Sequence, residues 1–152
     1  MPAPTAPPPE PCNCQAIRAA ARHVTQFYDQ CLAPSGLRTS QFTVLAKLKR
    51  NGPLTINALA DEMVTDRTTL GRNVLPLERD GLIAIDVSAA DRRAKQLALT
   101  KAGEKRLRAA AKLWFAAQAQ FDAAFGAKRA AALRALMATV VASDFTAPGG
   151  TV

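Results

Sequence analysis

The sequence predicts one mainly α-helical domain that contains a single β-hairpin. Along most of the chain, apolar residues recur at three- and four-residue spacing, which is typical of helices that bury one face. After Asp80-Gly81 the spacing changes to two, as in a half-buried strand, and from Lys101 the helical spacing returns. A length of 152 residues, with 49% hydrophobic and 21% charged residues, suits one compact domain with a core of its own.

The charge of the chain favours a polyanionic partner. Twenty Lys and Arg residues against twelve Asp and Glu residues give a formal net charge of +8. Such a balance is typical of proteins that bind nucleic acid or an anionic membrane surface. The alternative is a basic protein that does not bind either of them. The chain has no apolar run of about 18 residues, and its first residues have neither the basic nor the apolar segment of a secretory signal. We therefore expect a cytoplasmic protein without membrane spans.

The N-terminal part predicts an arm followed by two helices. Residues 1–12 are rich in proline, and a segment of this composition favours a disordered or extended arm. Residues 13–36 contain a long amphipathic helix that ends before Pro34. A second helix is expected from about Ser40 to Arg50, with Thr39 or Ser40 as its N-cap.

The next segment predicts two short helices joined by a tight turn. Thr55 can cap the first helix and Asp66 the second, with a break between them at residues 64–66. On the second helix, Leu70, Val74 and Leu77 point inward. The outward side chains are cationic, hydroxyl or amide groups: Arg67, Thr68, Thr69, Arg72 and Asn73. This is the helix-turn-helix arrangement, whose second helix can enter a major groove, and we expect Pro76 to bend that helix without breaking it.

The rest of the chain predicts a hairpin with a basic tip and two more helices. Residues 82–87 and 96–99 alternate as strands around the polar turn 88–93. A long helix then opens at Lys101, and a last one covers about residues 128–142. Their apolar stripes include Trp114, Phe121, Phe125, Leu133, Leu136, Val140 and Val141. These stripes exceed what the small unit can cover, which favours a dimer over helices folded back within a monomer.

These residues carry a family resemblance. The run from Leu54 to Gly103, with LADEM, DRTTLGRNVLPLERDGLI and ADRRAKQLALTKAGE, resembles the MarR family of winged helix-turn-helix repressors, over about residues 14–142. The resemblance implies a mainly α fold with a small β-hairpin wing, in which intertwined N- and C-terminal helices form a twofold dimer. The implied regions are an arm (1–12), an N-terminal dimerisation helix (13–36), a winged helix-turn-helix DNA-binding region (37–100), C-terminal dimerisation helices (101–146) and a flexible tail (147–152). It also implies a recognition helix in the major groove and a wing in the minor groove.

The chemistry of the outward side chains assigns each one a role on DNA. Arg67 and Arg72 can bind guanine in bidentate fashion, Asn73 can pair with adenine, and Thr68 and Thr69 can contact a thymine methyl group or a phosphate. Asp66 belongs to the same surface as the cap of that helix. For any one of these residues, the alternative is a solvated side chain that binds nothing.

The predicted wing and the start of the second helix supply further contacts. Arg93 matches the family's minor-groove arginine, and Asp91 is expected to orient an arginine through a salt bridge. Arg92 and Lys95 are expected to bind phosphates. The same is expected of the three residues that open the second helix: Thr39, Ser40 and Gln41.

These assignments predict a sequence-specific, double-stranded-DNA-binding transcriptional regulator. We expect a dimeric repressor of a pseudo-palindromic operator, with recognition helices roughly 34 Å apart. The alternative is an architectural protein that binds DNA without sequence preference. An enzyme is not expected, because the chain has one His and lacks a phosphate-binding glycine loop or a nucleophile motif. A protein–protein adaptor with the same fold is a further alternative.

The signal that releases the operator is expected to act on thiols or on a small ligand. Cys12 and Cys14 can offer two thiolates to a soft metal or metalloid ion, or form an oxidant-sensitive pair, and they can equally be inert. Cys31 lies on an apolar stripe that favours core packing. The resemblance also permits a small aromatic effector near Tyr28, Phe42 and Trp114, unless these residues are plain core. No cofactor is expected to be required.

Overall fold

The computed structural model describes residues 11–147, which form six helices and a small antiparallel sheet. The predicted fold class is confirmed, whereas most of the predicted N-terminal arm and C-terminal tail lie outside the described residues. The elements in order are α1 (Asn13–Leu32), a 3-10 turn (Ala33–Ser35), α2 (Thr39–Asn51), β1 (Leu54–Thr55), α3 (Ile56–Glu62), α4 (Arg67–Arg79), β2 (Ile83–Val87), β3 (Lys95–Leu99), α5 (Lys101–Phe125) and α6 (Ala127–Ala142).

The chain divides into two compact units at Trp114 and Phe115. The first unit contains a core of fully buried leucines and one valine from its helices and sheet: Leu32, Val44, Leu45, Leu59, Leu70, Leu77 and Leu97. In the second unit, the Phe121 and Phe125 rings lie 5.5 Å apart, and the Arg129 guanidinium lies 4.9 Å from the centre of the Phe125 ring. The same arginine donates from Nε to the Phe125 carbonyl oxygen at 2.6 Å.

The sheet has the order β1-β3-β2, so its central strand is the one that comes last in the sequence. Ile85 and Leu54 lie opposite Leu97 on its two sides, and the buried Leu97 side chain enters the core. The hairpin of β2 and β3 agrees with the alternation of residues 82–87 and 96–99. The two-residue strand β1 was not predicted from the sequence, because it is too short to show a period.

The helix starts confirm two of the predicted caps and correct a third. Thr55 Oγ1 accepts from Ala58 N at 3.1 Å, and Asp66 Oδ1 accepts from Thr69 N at 2.8 Å. The prediction of Thr39 or Ser40 as the cap of α2 is wrong, because the cap residue is Arg38. Gln41 Oε1 accepts from Arg38 N at 3.0 Å instead, so the capping group comes from inside the helix.

Helix α4 runs from Arg67 to Arg79 without interruption, although Pro76 lies inside it. The absence of a break agrees with the prediction, since buried Leu70, Val74 and Leu77 hold both halves against the core. Among the described residues, we find no helix with the length and apolar character needed to cross a membrane.

Candidate nucleic-acid interface

The outer face of α4 presents two arginines and a threonine that the protein itself does not use. Arg67, Thr68 and Arg72 are exposed, and within the described residues their side chains have no hydrogen bond or ion pair. The opposite face of the helix is fixed in the core by Leu70 and Val74. The three side chains therefore project from a rigid backbone and keep their donors available to a partner.

Asp66 and Thr69 form the cap that starts this helix. The carboxylate accepts from Thr69 N at 2.8 Å with one oxygen and from Thr69 Oγ1 at 2.7 Å with the other. These hydrogen bonds hold the pKa of the Asp66 carboxyl below its usual value, with the Thr69 hydroxyl as the largest cause. The Thr69 hydroxyl proton is thus committed within the protein, and both residues serve to hold the first turn of α4.

Asn73 connects α4 to α2 in the structure. Ser40 Oγ donates to Asn73 Oδ1 at 3.0 Å, and Asn73 Nδ2 donates to the Thr69 carbonyl oxygen at 3.3 Å. A bidentate contact with adenine needs the same oxygen as an acceptor and the same amide as a donor. Each atom has one site left, so the predicted adenine contact depends on the orientation that these two hydrogen bonds give the amide, whereas the Arg72 side chain has no such restraint among the described residues.

The start of α2 is held by an acid from the preceding helix. Asp29 Oδ1 on α1 accepts from both the backbone N–H and the hydroxyl of Thr39, each at 2.7 Å. Both donors of Thr39 that could bind a phosphate are thereby engaged within the protein. Asp29 was missed by sequence reasoning, because nothing in the spacing of residues 29 and 39 indicates their contact.

The wing is built around one buried hydroxyl. Ser88 is 4% exposed, and its Oγ accepts from Ala90 N at 3.2 Å and from Asp91 N at 3.4 Å. Its backbone N–H donates to the Ala94 carbonyl oxygen at 2.8 Å, which closes the loop. Ser88 is a second residue that sequence reasoning missed, since a serine in a polar turn gives no sign of burial.

The predicted salt bridge between Asp91 and an arginine is wrong. Asp91 Oδ1 accepts from the backbone N–H of Arg93 at 2.9 Å, and within the described chain Asp91 has no ion pair. The local reason is the turn itself, in which a carboxylate two residues before a backbone N–H lies within reach of it. Arg92, Arg93 and Lys95 are exposed and, over residues 11–147, free of ion pairs.

Two lysines of the first unit are neutralised by acidic side chains. Lys47 pairs with Glu62 at 3.1 Å, and Lys49 pairs with Glu104 at 2.7 Å. The hydrogen bond and the charge of Lys49 hold the pKa of the Glu104 carboxyl below its usual value. The arginines on the outer face of α4 and the cations of the wing have no such acidic partner within the described residues, so their charge is available to an anion.

The thiols lie along α1, two at its start and one near its end. Cys12 Sγ accepts from Gln15 N at 3.4 Å as the N-cap of α1, and both Cys12 and Cys14 are exposed. Because α1 is unbroken, Cys14 and the half-buried Cys31 are about 25 Å apart and cannot meet within one chain. No set of three potential metal ligands occurs among the described residues, so any ion at this pair would need further ligands.

The aromatic residues proposed as a ligand pocket are packed. Tyr28 and Phe42 are each 8% exposed, and the Phe42 ring stacks on Trp114 with centres 5.9 Å apart. Phe42 belongs to the core, with Trp114 packed against it. This arrangement agrees with the core alternative, and an effector site at these residues stays a prediction.

Comparison with known proteins identifies relatives that share the segment containing α4 and the wing. The model of the MarR family matches residues 35–94, from the 3-10 turn to the wing. The transcriptional regulator MosR of M. tuberculosis is 33% identical, with 88% of this chain and 98% of that chain covered and a TM-score of 0.74. This chain belongs to the MarR family. Membership in a family of transcriptional regulators also agrees with the expectation that the protein is not an enzyme.

Two further relatives of this MarR-family chain extend the comparison. The transcriptional repressor CouR, bound to a 23-mer DNA duplex, is 27% identical, with 86% of this chain and 92% of that chain covered and a TM-score of 0.77. The uncharacterized HTH-type regulator YwoH of Bacillus subtilis is 31% identical over 90 residues, or 59% of this chain. The match spans 65% of the length of that curated relative.

Proposed function

We propose that this MarR-family protein is a cytoplasmic repressor that binds a specific double-stranded DNA operator as a homodimer. The observation that carries the proposal is that α4 has two groups of polar side chains, one exposed and unpaired and the other hydrogen-bonded within the protein. Arg67, Thr68 and Arg72 are exposed and unpaired within the described residues, while Asp66, Thr69 and Asn73 hold the helix in place. A rigid helix with free arginines on its first turns is suited to base edges in a major groove.

The relatives support DNA as the partner. MosR, at 36% identity over 86% of this chain and 98% of that one, has been solved in complex with DNA, and CouR is bound to a DNA duplex. The matched segment of this chain contains the whole of α3, α4 and β2. The unpaired cations on this segment are therefore well suited to bind phosphates and bases.

The dimer is supported by apolar side chains that the second unit leaves in solvent. Leu136 and Val141 on α6 are each 61% exposed, and around the helix they lie on either side of Val140. An exposed apolar helix face indicates a partner surface, and a second copy of the chain supplies one with twofold symmetry. Twofold symmetry makes the operator a pseudo-palindrome with half-sites about 34 Å apart.

The contributions of α4 and the wing should separate in a salt titration. Arg72→Ala should lose about 1–3 kcal/mol per half-site on the operator and much less on unrelated DNA, because it removes a base contact. Arg93→Ala should weaken binding to both duplexes and reduce the salt slope by about one unit per lost contact in each half-site. The measurement is fluorescence anisotropy at several salt concentrations, with a duplex selected by the wild-type protein from a random library and a scrambled control.

Two outcomes of this titration would contradict the proposal. Arg72→Ala that binds the selected duplex as tightly as the wild type would remove α4 as the reader of the sequence. A wild-type protein that binds the selected and scrambled duplexes equally would favour the architectural alternative instead. Arg79→Ala is the matched control, since this arginine lies at the far end of α4 in a 3.5 Å contact with Asp80 and should retain wild-type affinity.

For the signal, we infer that Cys12 and Cys14 form a switch that responds to a soft metal ion, a metalloid or an oxidant. Support comes from their exposure and from their position two residues apart at the start of α1. With hydrogen peroxide, the two thiols would give up two electrons and two protons to form a disulfide, and the peroxide would be reduced to two molecules of water. A disulfide or a bound ion at the cap would replace the Cys12 contact with Gln15 N and change the start of α1.

The thiol switch predicts a specific pattern of mutant responses. Peroxide or cadmium ion should weaken binding of the wild-type protein to its selected duplex by about tenfold or more, which corresponds to about 1.4 kcal/mol. The Cys12→Ser, Cys14→Ser double variant should keep full affinity under both agents, and Cys31→Ser should respond as the wild type does. A double variant that loses affinity to the same extent as the wild type would show that these thiols do not carry the signal.

A further inference from the structure

Gly71 is the one described glycine that the fold itself does not explain. Gly36, Gly52, Gly81 and Gly126 have positive φ angles, which favour glycine, and Gly103 is packed against the Leu82 backbone. Gly71 has no positive φ, and a Cβ added there would meet nothing within 4 Å. It lies inside α4, where glycine is the least favourable residue after proline. The free protein would therefore be more stable with almost any other residue at this position.

The position of Gly71 places the missing side chain beside the outer face of α4. Thr68, three residues earlier, and Leu75, four residues later, share its side of the helix, and both are exposed. Arg72, which follows directly, is exposed and unpaired among residues 11–147. The helix thus has a notch between Thr68 and Leu75, on the surface that carries its free arginine.

We propose that Gly71 is the point where α4 comes closest to DNA, and that its missing side chain is a determinant of operator specificity. The inference rests on the proposed function, in which α4 enters the major groove. A residue without Cβ allows a helix backbone to approach a ligand about as closely as its own atoms permit. Any side chain at position 71 would hold the helix away from the groove wall and lengthen the hydrogen bonds made by Arg72.

The experiment compares three substitutions for which the order of helix propensity differs from the order of side-chain volume. Gly71→Ala, Gly71→Ser and Gly71→Leu should all raise the melting temperature of the free protein, with Ala and Leu above Ser, and Ala should add about 2–4 °C. Affinity for the duplex selected by the wild type should instead fall with side-chain volume. We expect a loss of about tenfold for Ala and a larger loss for Leu, with little change on scrambled DNA.

The outcomes separate this inference from the function on which it rests. If Arg72→Ala also fails to weaken binding, the assignment of α4 to the groove is wrong. If Arg72→Ala weakens binding while Gly71→Ala and Gly71→Leu bind as tightly as the wild type, only the role of Gly71 is overturned. A lower melting temperature for Gly71→Ala would overturn it as well, because the fold would then need the glycine for its own packing.

Discussion

Replacing Gly103 with alanine should destabilise the protein strongly, although alanine normally stabilises a helix. A Cβ at this position would overlap the carbonyl oxygen of Leu82, and it would lie 2.7 Å from Leu99 Cδ1. The Leu82 oxygen is backbone and also accepts from Thr100 N at 3.1 Å, so it cannot move aside without breaking the junction of the sheet and α5. The gain in helix propensity is about 1 kcal/mol, which is smaller than the expected cost of the overlap.

The net effect for Gly103→Ala should be a loss of about 3 kcal/mol, or a fall in melting temperature of roughly 6–12 °C. Circular dichroism during thermal unfolding measures it, and Gly71→Ala is the matched control because a Cβ there meets nothing within 4 Å. The two identical substitutions in helices should therefore shift the melting temperature in opposite directions. Equal stability of Gly103→Ala and wild type would mean that α5 does not pack on Leu82 as described.

A charge on the exposed surface of α6 should separate the proposed dimer and strongly weaken operator binding. Leu136 is 61% exposed within one chain, and burying such a side chain against a second copy contributes about 1.5–3 kcal/mol, twice over in a symmetric interface. Leu136→Asp removes this contribution and adds a carboxylate that would lose its water on association. Operator affinity should fall by at least about a hundredfold, because one half-site then has to bind alone.

Sedimentation at micromolar concentration provides the direct measurement. The wild type should sediment at twice the chain mass of 16.1 kDa, and Leu136→Asp should sediment as a single chain. Ala138→Asp is the control, since it places the same charge two residues along α6 and on a different side of the helix. A wild-type protein of 16.1 kDa would exclude the dimer and, with it, the pseudo-palindromic operator.

The sequence could predict most helices and strands because each of them is long enough to show a regular spacing of apolar residues. The alternation at residues 82–87 and 96–99 indicates the hairpin, and the caps Thr55 and Asp66 mark the starts of α3 and α4. What could not be predicted depends on partners distant in the chain. β1 pairs with residues about 42 positions later, and the start of α2 is held by Asp29 from the helix before it.

The candidate site shows the same limit in another form. Side-chain chemistry groups Arg72 and Asn73 together as groups that can read bases, since both can form bidentate contacts. Only the folded structure distinguishes them, because Asn73 accepts from Ser40 while Arg72 has no partner in the described chain. The sequence therefore predicts which surface meets a partner better than it predicts which residue of that surface is free to do so.

Thr55 takes part in two elements at once, and in this way it links the wing to α4. Its backbone pairs with Gln96 on β3, which leads back to the wing, while its hydroxyl caps α3, which leads through a short turn to α4. The wing and α4 are thus tied at a shared residue and have little freedom to move separately. In the proposed dimer, a different spacing of half-sites would therefore be met by movement of one subunit against the other. Within a subunit, the ordering entropy lost on binding would fall on side chains such as Arg72 and Arg93.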